Sequence, residues 1–525
     1  MATQEICWNE KLIMFRDKII LSLDPNIHKT ITDKGEYLKN MIQNNKSFTE
    51  IEKKFLLNEL HKTYDAVKIG DDSVGKQQCN NCQNWHQATQ YCEFCIRKYL
   101  ENNFGNWTSR NDEIDKFIQE CQQKTVTPRL VIEWISYDQF ENIEHLKEGG
   151  CASIYTAIWK NGSYYKWNSE KQILERYGRH KVILKKLNNS NSNSVKWFQE
   201  VTLSFTLKNI CTALVKCFGL TKDPITNDYM LVMRCYENDL RHFLKDNYHS
   251  LTWLQKYKII HYITISLDKI HKENIVHRDL HSGNILYNAY TWVISDLGLS
   301  GPVDKPLNSI YGNLPYIAPE VLCGQMYTTK SDIYSLGILM WEIATSETPF
   351  GEREHDLDLQ FAIINGYRPK IYEDIPQEFV SLMKRCWDAN PDNRPDANTI
   401  HERIRLLIKL LYDEMDKQQN LKLKIKNIFK LKPKIKNIFK LKSKIKNIFK
   451  LKSTKKRGKL HKFQNSKVLN TFHFSIQPRN STKEEQKAYE TKQFDLGMDE
   501  LDQLYLNNIV SNNSCVDHSK AHNFD

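Results

Sequence analysis

Hydrophobic positions change their period several times along this chain, and each change marks a different kind of segment. Between Ile51 and Val67, the residues Ile51, Phe55, Leu56 and Leu60 recur at helical spacing on one face, behind a Ser47-to-Glu50 capping-box pattern. Residues 1–70 as a whole read as helices, either a small platform or a dimerising arm. Residues 101–138 read as a linker. From 139 to 411 strand-like and helix-like patterns take turns: Val182 and Leu184 set a two-residue alternation, and Ile285–Tyr287 with Trp292–Ser295 reads as a β-hairpin. No run of 18 uninterrupted apolar residues occurs, which excludes an ordinary membrane-spanning helix.

Residues 412–460 carry a different pattern. LKLKIKNIFK, LKPKIKNIFK and LKSKIKNIFK follow one another from Leu421 to Lys450. On a helix, Leu421, Ile425, Ile428 and Phe429 fall within an arc of about 100°. A ten-residue period turns that stripe by roughly −80° per repeat, and Pro433 interrupts a continuous helix. Short, separately docked basic amphipathic segments are therefore expected, not a coiled coil. The Asn-, Ser- and Lys-rich stretch 461–525 reads as a mostly disordered tail.

Charge sharpens that division. The net charge is +12, yet residues 421–460 hold 17 Lys or Arg and no acid, and the remainder holds 58 basic against 63 acidic residues. Basic character is thus a local device. It suits an anionic membrane surface, a calmodulin-like groove or nucleic acid, the alternative being a solvated linker without a partner. The stretch Met1–Phe15 contains Glu5, Glu10 and Lys11 and no long apolar run, so no secretory signal is expected. With 13 cysteines besides, the reading is a reducing compartment: cytoplasmic, or nuclear through Lys455-Lys456-Arg457 with Lys459. A length of 525 residues suits two or three domains.

Within residues 71–100, Cys79 and Cys82, then Cys92 and Cys95, form two C-x2-C pairs. Thiolates so spaced converge on one tetrahedral centre, and four of them close a structural Zn²⁺ shell with no open position for water. His86 is a further candidate ligand, and unliganded reduced thiols are the alternative.

The chemistry concentrates after His277. In HRDLHSGNIL, Asp279 precedes Asn284 by five residues, and the hairpin then presents Asp296 in D-L-G, followed by A-P-E at Ala318 to Glu320. Phosphoryl transfer needs divalent metal to neutralise phosphate charge and a group to orient the attacking hydroxyl. Asp296 and Asn284 are hard oxygen ligands suited to Mg²⁺, and Asp279 is placed to accept the hydroxyl proton.

This ordered set closely resembles the eukaryotic protein kinase family over about 270 residues. The resemblance implies an α+β fold of two lobes, a β-rich upper and a helical lower one, spanning 139–411 with ATP and Mg²⁺ between them. A helical and zinc-knuckle region precedes it and a disordered basic repeat tail follows. It implies that Lys185 in V-I-L-K clasps the ATP phosphates, with Lys186 as the register alternative, and that Glu200 holds the lysine. His277 and Arg278 become loop scaffold and activation-loop clamp. Glu320 pairs with Arg394, Asp332 buttresses the catalytic loop, and Met233 is the gatekeeper beside the adenine hinge. Leu146, Gly149, Gly150 and Ile154 border the nucleotide.

Departures from the family pattern bear on activity and substrate. The G-x-G-x-x-G loop reads Lys147-Glu-Gly149-Gly-Cys-Ala152, keeping only the middle glycine and so weakening backbone approach to phosphate. His281 stands where Ser/Thr kinases usually have lysine, and Asn313 where threonine is expected. The whole most resembles the tyrosine-kinase-like group, whose members mostly phosphorylate Ser and Thr, and is similar to expanded kinase-like families of mycorrhizal fungi. Ser300, Ser309 and Tyr311 are candidate regulatory hydroxyls. The expected reaction moves the γ-phosphoryl of ATP to Ser/Thr, or alternatively Tyr, of protein substrates in intracellular signalling. The alternatives are a pseudokinase scaffold, or an adaptor binding membrane or nucleic acid through the zinc knuckle and basic tail.

Overall fold

Side-chain caps set where the first helices begin. Helix α1 (Glu10–Leu21) starts behind Asn9, which accepts from the Leu12 amide. Helices α2 (Ile31–Gln43) and α3 (Glu50–Lys68) open in capping boxes formed by Thr30 with Asp33 and Thr49 with Glu52. The α3 box lies two residues beyond the one expected at Ser47, whose hydroxyl instead donates to Asn45 Oδ1 at 2.6 Å. Ile51, in the first turn, is 66% exposed, whereas Leu56 is buried with Leu12, Ile19, Leu38 and Ile42.

The computed structural model describes residues 7–430 except 25, 72–73, 149–151, 191–194, 211–213, 249, 289–290 and 303–309, together with 467–469, 478–482 and 485–486. After α3, strands β1 (Gln77–Gln78) and β2 (Trp85–His86) pair and lead into α4 (Glu93–Asn102) and α5 (Asp112–Gln123). Strand β3 (Glu133–Trp134) is followed by β4 (Phe140–Glu148), β5 (Ala152–Trp159), the hairpin β6 (Tyr164–Asn168) and β7 (Ile173–Arg176), and β8 (His180–Leu187). Helix α6 (Val195–Ile210), β9 (Cys217–Lys222) and β10 (Tyr229–Arg234) complete an upper lobe whose sheet runs β3-β9-β10-β8-β5-β4.

Side chains alternate across this sheet with period two. Val182, Leu184, Met230 and Val232 enter one layer, and Ile183, Leu231 and Met233 enter another shared with α5 and α6. The expected linker 101–138 is therefore part of the lobe. Ile114 and Ile118 of α5 are buried against Val201 and Phe205 of α6, and Phe117 stacks on Phe205 with centroids 5.6 Å apart. Strand β3 extends the sheet in parallel, with Glu133 opposite Gly219. An i, i+4 apolar pair in a short polar helix finds its burial in the core that α5 shares with α6 and the sheet.

The lower lobe comprises β11 (Asn238–Asp239), α7 (Leu240–Asp246), α8 (Trp253–Lys272), β12 (Ile275–Val276), the hairpin β13 (Ile285–Asn288) and β14 (Thr291–Ile294), and β15 (Gly301–Pro302). Helices α9 (Pro319–Leu322), α10 (Thr329–Thr345), α11 (Leu357–Ile364), α12 (Gln377–Cys386) and α13 (Ala397–Lys430) follow. Helix α10 is buried on all sides from Ser331 to Ala344 and forms the axis of the core. Helix α13 runs through residue 412 and takes in the first decapeptide as its own continuation, so this repeat is not a separately docked segment. The second and third repeats, with Pro433 and Lys455–Lys459, lie outside the described residues. No helix among the described residues is long and apolar enough to cross a membrane.

The amino-terminal helices brace this lobe. Leu21 joins its core, Lys258 pairs with Asp17 at 2.7 Å, and Arg405 donates to the carbonyls of Leu21 and Leu23. Beside that junction the rings of His261 on α8 and His401 on α13 lie 4.8 Å apart. Burial, then His401, holds the His261 imidazole down to about 3, against the opposing pull of Asp17. A histidine depressed in the folded state contributes its full stability above the unfolded pKa near 6.5 and loses it as pH falls toward 3. About 2 kcal/mol should be gone by pH 5. Urea midpoints should drop between pH 7 and pH 5 and drop less in His261→Gln; equal slopes would contradict this assignment.

Candidate active site

Alternation along β8 turns Lys185 toward α6 and Lys186 to the opposite face, where Lys186 lies 3.9 Å from Asp223. Lys185 is buried, and its Nζ donates to Glu200 Oε1 at 2.6 Å and to Asp296 Oδ1 at 2.7 Å. Three elements therefore meet at one ammonium: the β8 strand, helix α6 and the segment after β14. Burial pushes the Asp296 carboxyl up, but Lys185 and the Gly298 amide outweigh it and hold the group down to about 2. Glu200 is raised by burial, with Lys185 pulling back and Asp296 adding to the rise. Burial lowers Lys185, but the two carboxylates raise it above the ordinary lysine value. Nearly half of the Asp296 side chain, 46%, still reaches solvent at the cleft.

The loop at 277–284 is fixed from behind. Asp332 accepts the His277 amide at 2.8 Å through Oδ2 and the Arg278 amide at 2.9 Å through Oδ1. His271 Nε2 lies 2.8 Å from the same carboxylate. The Asp279 amide donates to His277 Nδ1 at 3.3 Å, so His277 Nε2 carries the proton it gives to the Ser295 carbonyl at 3.0 Å. That bond ties the loop to the residue before Asp296. Both Arg278 and Asp296 hold positive φ, 71° and 59°, a conformation that side chains adopt only where surrounding contacts enforce it.

Asp279 and Asn284 face each other. Asn284 Nδ2 donates to the Asp279 carbonyl at 2.9 Å and to Asp279 Oδ2 at 3.3 Å. Asp279 Oδ1 is buried with no hydrogen-bond partner among the described residues. His281 accepts the Gly283 amide at 3.0 Å through Nδ1, which places its proton on Nε2, 3.6 Å from Asp279 Oδ2. Glycine is required at 312: φ is +129°, and a side chain there would stand 3.4 Å from Asp279 Oδ1. A free carboxylate oxygen, a neighbouring imidazole N–H and close backbone thus share one spot, and a buried acceptor without a donor is costly unless a ligand supplies one.

The other residues singled out from the sequence are distributed as follows. Ile154 lies opposite Lys185 in the β5–β8 register, and Met233 is buried opposite Ile183 on β10. Leu146, on outer strand β4, is 61% exposed. Gly149 and Gly150 lie outside the described residues, though the strands flanking them pair as far as Glu148 with Ser153. Glu320 and Arg394 form a two-pronged pair at 2.7 Å and 2.7 Å. Ser300 is buried and donates to the His277 carbonyl at 3.1 Å, so it holds the loop and is not open to modification here. Ser309 lies outside the described residues.

Two supports escaped the sequence reading. His271 gives Asp332 its third contact. Glu342 accepts the Ser282 hydroxyl at 2.7 Å and the Tyr316 hydroxyl at 2.6 Å, joining the loop to the segment after Asn313. A lone carboxylate in the otherwise apolar stretch Leu339–Ile343 was its available signal.

Away from the cleft, the Sγ atoms of Cys79, Cys82, Cys92 and Cys95 all lie within 4.8 Å of one another. The closest contacts, Cys79 with Cys95 and Cys82 with Cys92, are both 3.6 Å, near the ~3.8 Å edge of a tetrahedron with Zn–S bonds of about 2.3 Å. His86 is not part of this group.

A family model for protein tyrosine and serine/threonine kinase matches residues 140–404, just over half of the chain. The chain is 26% identical over 315 residues to a probable serine/threonine-protein kinase of Dictyostelium discoideum. It is 28% identical over 302 residues to a putative serine/threonine-protein kinase/receptor of Acanthamoeba polyphaga mimivirus. With the dual specificity protein kinase pyk3 of Dictyostelium discoideum, identity is 29% over 303 residues. Each alignment covers 56% of this chain but only 16%, 17% and 21% of the respective relative. The matched span includes every residue of the cleft just described, from Ile154 and Lys185 to Asp296, and the chain belongs to the protein tyrosine and serine/threonine kinase family.

Proposed function

We propose that this chain transfers the γ-phosphoryl of ATP to Ser or Thr hydroxyls of proteins, with Tyr as the alternative acceptor. One observation carries the reading: Lys185 is pinned between Glu200 and Asp296 while Asp279 keeps a buried oxygen without a donor. The donor set fits the nucleotide and its metal. Asp296 and the Asn284 amide oxygen would hold Mg²⁺, whose charge offsets that of the phosphates. Lys185 binds phosphate oxygens, and Glu200 keeps its ammonium in place. Asp279 Oδ1 accepts the proton of the incoming hydroxyl, while Asn284 Nδ2 holds Oδ2 so that the free oxygen faces the acceptor. His281 supplies the nearby N–H where a lysine is more usual. Incorporation of radiolabelled phosphate into a generic protein substrate, compared with Asp279→Asn, tests this; equal incorporation would favour a scaffold.

The cysteine cluster supports a structural Zn²⁺. Its hydrophobic surroundings include Ile96 and Leu100 of α4 together with Trp167 and Leu174 of the β6–β7 hairpin, so the ion would also brace the upper lobe. Purified protein should contain about one zinc per chain. Cys95→Ser should lose it and release α4, seen as raised protease sensitivity between β2 and α5. Full zinc content in Cys95→Ser would rule the site out.

A further inference from the structure

Two stretches of the carboxy-terminal region return to the lower lobe. Strand β16 (Ile310–Gly312), between Asp296 and Glu320, pairs antiparallel with β17 (Lys467–Leu469). Ile310 faces Leu469, Tyr311 faces Val468 and Gly312 faces Lys467. These two strands form a sheet of their own, so without β17 the β16 edge would present unpaired backbone groups. The paired edge ends at the reactive carboxylate, because Gly312 is the residue whose side chain would stand 3.4 Å from Asp279 Oδ1.

A second contact clips the same region in place. The Arg479 amide donates to the Ile364 carbonyl at 3.3 Å. Ser481 Oγ and Gln486 Nε2 donate to the Gly366 carbonyl at 2.8 Å and 2.5 Å. The Ala389 amide donates to Asn480 Oδ1 at 2.8 Å, and the Arg368 amide to Gln486 Oε1 at 3.4 Å. Gly366 fits this seat: φ is +93°, and a Cβ there would lie 2.4 Å from the Ser481 nitrogen. Five hydrogen bonds, made by one backbone amide and three side chains of this stretch, to a groove shaped by glycine make a defined docking site.

We propose that two stretches of this chain, Lys467–Leu469 and the one carrying Arg479 to Ser481 and Gln486, are an intramolecular peptide ligand of the lower lobe, the second anchored at Gly366 and the first laid along the β16 edge beside Asp279, where it excludes an extended protein substrate. Strand addition reads backbone more than side chains, so one edge serves both a substrate and the chain's own segment. Covalent attachment makes the docking intramolecular, so a free peptide competes against an effective concentration on the order of millimolar. Exclusion of substrate rests on the proposed phosphoryl transfer; the docking does not.

The test uses the full chain in two variants. Asn480→Ala/Ser481→Ala/Gln486→Ala removes the clip, and Val468→Pro/Leu469→Pro removes the strand amides, one of which points at β16 in any antiparallel ladder. Hydrogen exchange at 310–312 should quicken about fivefold or more in both variants, and at 364–368 in the first. KM for a peptide substrate should fall about fivefold, with KM for ATP unchanged. Unchanged exchange at 310–312 in both variants, or unchanged peptide KM in an active protein, overturns the proposal. Faster exchange in a chain that never transfers phosphate would uphold the docking and refute the phosphoryl-transfer reading.

Discussion

Asp279→Asn should lower kcat for protein phosphorylation by about 10³-fold while KM for ATP stays within about twofold. The change preserves shape, replaces one oxygen by an amide NH2 and removes the negative charge that would take up the hydroxyl proton. Asp279 Oδ1 has no donor among the described residues, so no structural hydrogen bond is lost there. Contacts of the Asp279 backbone survive as well: its amide still reaches His277 and its carbonyl still accepts from Asn284. Lys185→Ala is a different experiment. It leaves Glu200 buried and removes the ammonium that lowers Asp296, so its loss should appear mainly in nucleotide engagement. Steady-state kinetics on both variants separate the roles. A normal kcat in Asp279→Asn would remove the residue from the reaction.

Arg394→Ala should destabilise the protein by about 3–5 kcal/mol, the range for breaking a buried ion pair. The guanidinium is fully buried, donates to both Glu320 oxygens at 2.7 Å, and also serves the carbonyls of Asp388 at 2.8 Å and Lys330 at 2.9 Å. Its removal strands a carboxylate that is only 3% exposed. Against a total stability of about 5–15 kcal/mol such a loss is large. Arg394→Lys should recover part of it, keeping the charge without the planar fork. Arg394→Met combined with Glu320→Met should be milder than Arg394→Ala, because no charge is left unpaired. Chemical denaturation midpoints check the series; a midpoint unmoved by Arg394→Ala would show that the pair contributes little.

Several features were legible from the residues because they depend on short-range geometry. Alternation along a strand distinguishes Lys185 from Lys186 without knowledge of the partner strand. The five-residue separation of Asp279 and Asn284 brings them together within one loop, and the C-x2-C spacing brings each pair of thiols together within one turn. The capping box of α3 shows the limit of such local rules: Ser47 with Glu50 and Thr49 with Glu52 are both Ser/Thr-x-x-Glu stretches, but only Thr49 stands directly before the helix and closes the box.

Residues 101–138 make the same point at larger scale. Their polar composition suggests a connector, and the upper-lobe core shared with α6 and the sheet gives Ile114 and Ile118 somewhere to bury. Ser300 has the composition of an exposed regulatory hydroxyl, and a backbone carbonyl 23 positions earlier makes it an internal tie.

By itself, then, the sequence determined the reactive groups and their local spacing, since bonded geometry and side-chain chemistry act over a few residues. The tertiary structure alone decided what lies against them: His271 behind Asp332, Glu342 between Ser282 and Tyr316, α5 on α6, and the strand from Lys467 beside Gly312. Those contacts join residues far apart in the chain, and their partners are selected by burial and by unsatisfied backbone groups, which carry no sequence motif.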